Sequence, residues 1–89
     1  MKITRLKVSW DKQFPMRAAV QLVRVTRRFR SQIQLRVGAD VADARSVLSI
    51  LILASSLNSY LDIEASGDDE QEAVQAVVEH FNHKSDPVS

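Results

Sequence analysis

The stretch Gln13-Phe14-Pro15-Met16-Arg17-Ala18-Ala19 opens a run of apolar residues that extends at helical spacing to Phe29, and the rest of the chain is read outward from it. Proline fixes φ near the helical value and has no N–H, so Pro15 suits the first turn of a helix, where that donor would lack an intrahelical acceptor anyway. Beyond it Ala18, Ala19, Leu22, Val25 and Phe29 recur every three or four residues, with Val23 widening the stripe. This spacing predicts an amphipathic helix from Met16 to Phe29. Arg17, Arg24 and Arg28 fall at i, i+7 and i+11 with Arg27 beside them, which is either a solvated polar face or a basic contact stripe.

On the N-terminal side Thr4, Leu6 and Val8 alternate with Arg5 and Lys7, the period of a strand with one buried face. On the C-terminal side Ile33, Leu35 and Val37 alternate with Gln32, Gln34 and Arg36. Gly38-Ala39-Asp40 then turns the chain into a short strand over 41–44, so a hairpin is expected. Ser46 precedes the apolar run Val47-Leu48-Ser49-Ile50-Leu51-Ile52-Leu53; a serine there is a good N-cap for a short helix, but a buried strand has the same composition and periodicity does not separate the two. Leu61, Ile63 and Ala65 alternate with Asp62 and Glu64 in a last strand ending at Ser66-Gly67. Asp69 and Glu72 read as a capping pair for a terminal helix lined by Ala73, Val74, Val77, Val78 and Phe81. Four half-buried strands with helices to cover them predict a two-layer α+β sandwich over residues 1–83, and the polar segment 84–89 is expected to be a disordered tail.

Composition narrows the chemistry. The 89 residues suffice for one domain with a modest core, and with no cysteine there is neither a disulfide nor a thiolate site. His80 and His83 lie three apart but lack a third ligand in view, so no metal or other cofactor is expected. No constellation of nucleophile, base and orienting group appears, so the chain reads as non-catalytic. No stretch approaches a membrane span, the N-terminus lacks the apolar run of a signal peptide, and a cytoplasmic location is expected. Net charge is only +1, but eleven of the twelve Lys and Arg residues lie within residues 1–45, whereas Asp62 to Glu79 is acidic. That polarity gives one basic side. With aromatics scarce near it, nucleic-acid binding through the first helix is the weaker of the two uses of such a face.

The segment 13–19 resembles the HPr signature Gly-(Ile/Leu)-His-Ala-Arg-Pro-Ala, in which phosphate is carried on the histidine ring. Arg17 and Ala19 match, Phe14 is a bulkier apolar residue, Gln13 and Ala18 replace the glycine and the proline, and Pro15 stands at the nucleophile's place. The similarity to the HPr family runs from about Lys2 to His83, with further landmarks at Ser46, at Ala65-Ser66-Gly67 and at Asp69-Glu70 with Ala73. It implies an antiparallel four-stranded sheet covered on one side by three helices in the order β-α-β-β-α-β-α. Proline has no side-chain lone pair, so Pro15 can neither accept nor attack a phosphoryl group. In this the chain is similar to the catabolite-repression paralogues of the family, which also lack the histidine.

The resemblance also implies where partners bind. Met16 and Arg17 would line an anion site at the start of the first helix, and Arg24, Arg27, Val47, Leu48 and Leu51 would complete a docking surface, with Ile50 and Leu53 in the core. Partners of phosphotransferase-system type are implied: an enzyme I, a kinase or a transcription regulator. Ser46 stands where some members carry a regulatory phosphate, beside Arg45, in the context Arg45-Ser46-Val47-Leu48-Ser49 where the family has Lys-Ser-Ile-Met-Gly. The expected role is an HPr-like regulatory module that docks without relaying phosphate. The alternative of a phosphocarrier using His80 or His83 lacks the helix N-terminus and adjacent arginine which that chemistry uses.

Overall fold

The computed structural model describes residues 1–10, 12–57 and 60–85, the last three by backbone alone. Seven elements follow in the order β1 (Lys2–Lys7), α1 (Pro15–Thr26), β2 (Gln32–Val37), β3 (Asp40–Asp43), α2 (Val47–Ala54), β4 (Tyr60–Ser66) and α3 (Glu70–Ser85). The strands form one antiparallel sheet in the order β1-β4-β2-β3, and the helices cover one face of it.

Strand alternation sets that face. Thr4 and Leu6 pair with Ile63 and Leu61, while Ile33 and Leu35 pair with Ala65 and Ile63, so the apolar members of three strands share one side. Leu22 of α1, Ile50 of α2 and Val77 of α3 are wholly buried against Ile33, Leu35 and Ile63. On the open face Arg5 holds Asp62 with two hydrogen bonds of 2.7 and 3.1 Å, and Arg36 holds Glu64 at 2.7 Å. The β2–β3 hairpin turns through Gly38 and Ala39 with Val37 opposite Asp40. Gly38 has φ of 60°, and among the described residues only a second glycine is also positive, the pattern of a type II′ turn.

Three sequence expectations shift. α1 ends at Thr26, one turn short of Phe29, because the backbone changes to tighter bonds from Arg28 N–H to Val25 O and from Phe29 N–H to Thr26 O. There the buried Thr26 hydroxyl donates to Val23 O and, at 2.8 Å, to Ala44 O, tying α1 to the end of β3. The Asp69–Glu72 capping pair does not form. Asp69 reaches across to the start of β2, accepting from Arg30 N–H and Ser31 N–H at 2.9 Å each and from the Ser31 hydroxyl at 2.6 Å. Glu70 takes the capping role, accepting from Gly67 N–H at 3.2 Å and pairing with the Met1 amine at 3.0 Å. Finally, α3 runs through Ser85, so Lys84 and Ser85 belong to the helix and not to a tail; residues 86–89 lie outside the described residues.

The Asp69 clamp carries a pH dependence. The Ser31 hydroxyl, followed by the Arg30 amide, holds the Asp69 carboxyl down to about 2. A depressed folded-state value means that the contribution is complete above the unfolded carboxylate range and is lost as pH falls from about 4 towards 2. Urea midpoints of the wild type and of Asp69→Asn should therefore differ most near neutral pH and converge as pH falls through that window. A difference that stayed constant down to about pH 2 would mean that the ionised clamp does not act as described.

Candidate functional site

The candidate site comprises the start of α1 and the outward side of α2, which packs against α1. Phe14 is the N-cap residue of α1, with φ −132° and ψ 64° and no side-chain cap; Pro15 occupies the first helical position. Ala18 N–H already bonds to Phe14 O at 3.1 Å. Since Pro15 has no N–H, the unbonded donors of the first turn reduce to the amides of Met16 and Arg17. Phe14 and Met16 are exposed, and neither belongs to the core. The Arg17 guanidinium lies over the Phe14 ring, its central carbon 4.3 Å from the centroid. The sequence reading missed this stack, although an aromatic three residues before an arginine at a helix start was the signal for it.

Arg17 and Arg24 on α1, and Arg27 and Arg28 just beyond its end, are all exposed, and Arg28 lies 5.9 Å from the Phe29 ring. Arg24 falls in the last turn of α1, where a cation complements the helix dipole.

Ser46 caps α2: its extended backbone and its Oγ, which accepts from Ser49 N–H at 3.2 Å, begin the helix and decide the ambiguous apolar run in favour of a helix. Arg45 does not lie idle beside it. Its guanidinium donates to Phe29 O and, at 3.3 Å, to Ser31 O, bracing the link between α1 and β2.

The exposed apolar set of α2 differs from the expected one. Ile50 and Leu53 are buried as expected and Leu48 is 68% exposed, but Val47 and Leu51 are half-buried and pack on the core. Ile52, one turn beyond Leu48, is 63% exposed and replaces them on the outward face. Once Val47 is the first helical residue, positions 48 and 52 fall on the side opposite Ile50, whereas 47 and 51 fall on its flank.

His80 packs edge-on against Phe81, ring centroids 5.6 Å apart, in the C-terminal half of α3; the His83 side chain lies outside the described residues. Among the described residues no group of three or more His, Cys, Asp or Glu side chains converges on a metal-sized site, and no helix is long and apolar enough to cross a membrane.

An antiparallel sheet in the order β1-β4-β2-β3, roofed by three helices and with an arginine in the first turn of the first helix, defines an HPr-type scaffold. The chain belongs to the PTS-HPr family: the family described as the PTS HPr component phosphorylation site matches residues 4–83. The phosphocarrier protein NPr of Proteus mirabilis is 42% identical over 66 residues, 73% of either chain. Among solved structures, HPr-C-His from Thermoanaerobacter tengcongensis superposes with a TM-score of 0.84 at 28% identity, covering 94% of either chain. Crh, the catabolite repression protein of Bacillus subtilis, superposes at 0.72 with 27% identity, covering 91% of this chain and 88% of its own.

Proposed function

We propose that this chain is a non-catalytic docking and regulatory module of a bacterial phosphotransferase system, acting in the cytoplasm, which occupies the partners of an HPr-type carrier without taking a phosphoryl group at the usual place. The observation that carries this reading is Pro15 at the first position of α1. Its nitrogen is locked in an amide, so the place that offers a ring nitrogen in the family signature offers no nucleophile here. The side chains offered to a partner are Met16, Arg17, Arg24 and Arg27, exposed on or just after α1, and Leu48 with Ile52, exposed on α2, which packs against α1. A basic half beside an apolar half is the composition of a contact surface, with Leu48 and Ile52 as its anchor and the arginines as its rim. The likeness to Crh, whose name assigns it to catabolite repression, supports a regulatory role.

Ser46 is the candidate for control by phosphorylation. A phosphate on it would meet the unbonded amides at the start of α2 and would compete for Arg45, now engaged by Phe29 O and Ser31 O.

Incubation with enzyme I and labelled phosphoenolpyruvate should leave the protein without acid-labile label. In the same mixture, excess protein should slow phosphoryl transfer from enzyme I to an authentic HPr, and Arg17→Glu should abolish that inhibition. Label on the wild type, or inhibition unchanged by Arg17→Glu, would overturn the reading.

A further inference from the structure

The placement of Phe14 assigns it a role beyond that of an apolar residue before a helix. We infer that its ring is a positioning element that holds the Arg17 guanidinium outward and fixed, so that Arg17 receives a carboxylate of an acidic protein partner; this rests on the docking role of α1 proposed above.

The ring is not there for the core. Phe14 is 46% exposed and lies outside the buried cluster, and Met16, two residues on, is 60% exposed. What the ring does contact is Arg17, with the guanidinium carbon 4.3 Å from its centroid. A guanidinium held over an aromatic face keeps N–H donors directed away from the ring, with which it can bond a carboxylate. The contact also restricts a long side chain to few rotamers, so less freedom remains to be lost on binding.

No acid of the chain's own helix satisfies those donors. From Lys12 to Ala39 there is no Asp or Glu, and among the described residues Arg17 makes no salt bridge, whereas Arg5 and Arg36 each hold a carboxylate at 2.7 Å. Charge complementarity therefore asks for an acidic partner, and the exposed Phe14 and Met16 ask that its carboxylate have an apolar shoulder. An aliphatic residue at position 14, as in the family signature, would cover similar apolar area but could not stack the arginine.

Binding of purified enzyme I to the wild type, Phe14→Leu, Phe14→Tyr and Arg17→Glu, measured by calorimetry, tests this directly. Phe14→Leu should weaken binding about threefold to fivefold and Phe14→Tyr should stay within about twofold of the wild type. Melting temperatures should stay unchanged, because position 14 is outside the core. The Arg17 Hε resonance should be shifted upfield by the ring in the wild type and in Phe14→Tyr, and should lose that shift in Phe14→Leu. Equal binding by the leucine and tyrosine variants, or an Hε resonance that ignores the substitution, would overturn the role of Phe14 even if Arg17→Glu abolishes binding. Failure of Arg17→Glu to weaken binding would instead overturn the docking reading itself.

Discussion

Gly67→Ala is expected to lower folding stability by about 3 kcal/mol, measured as a shift of the urea midpoint with unchanged slope. Two causes act together. Gly67 has φ of 150°, a backbone conformation that L side chains rarely adopt. A Cβ placed there would lie 2.7 Å from Ser31 Oγ and 2.8 Å from the Ser31 α-carbon. The clash with the backbone carbon matters most, because a hydroxyl could rotate away whereas the backbone of Ser31 is held by Asp69 through its N–H and by Arg45 through its carbonyl. Relief would have to come from moving β2 away from the β4–α3 turn, which breaks the clamp. Gly38→Ala is the control. Nothing lies within 4 Å of a Cβ built on Gly38, so only its φ of 60° resists the change and a cost of about 1 kcal/mol is expected. Equal losses at the two glycines would show that backbone conformation alone, and not the approach to Ser31, makes Gly67 necessary.

The Asp69 clamp also shows where local sequence patterns stop. The alternation of Leu61, Ile63 and Ala65 places β4, and the spacing of Ala18, Ala19 and Leu22 places α1, because each pattern is a local consequence of one buried face. The Asp69–Ser31 bond spans 38 residues, and nothing near Asp69 distinguishes a long-range clamp from a helix cap. In the same way Thr26 reads as an ordinary helical residue until Ala44 O appears at 2.8 Å from its hydroxyl and accounts for its burial. α2 fails for a different reason. A helix written Val47-Leu48-Ser49-Ile50-Leu51-Ile52-Leu53-Ala54 is apolar on all sides, so composition carries no information on which side faces water. Only the start fixed by Ser46 sets the phase, and the phase moves Ile52 outward and Leu51 inward. Phe14, in contrast, is local, three residues from Arg17; its stack was readable from spacing and chemistry.

That phase gives the proposed docking surface its most discriminating test. Leu48→Glu combined with Ile52→Glu should weaken binding to enzyme I by at least about 100-fold, because a carboxylate forced into an apolar contact costs several kcal/mol unless it is paired. Folding should be nearly untouched, since the two side chains are 68% and 63% exposed and already face water. A melting temperature within about 2 °C of the wild type is expected. Leu51→Ala should behave in the opposite way. Leu51 packs against the core, so its truncation should cost about 1–2 kcal/mol of stability while leaving the affinity of the folded fraction close to that of the wild type. If the Leu51 variant loses binding at unchanged stability and the Leu48/Ile52 variant binds normally, the contact is made by the flank of α2 that carries Val47 and Leu51, and α2 must then rotate in the complex to expose it. If neither variant loses binding, α2 is not part of the contact, and the arginines of α1 would have to hold the partner with charge alone, which high salt would then abolish.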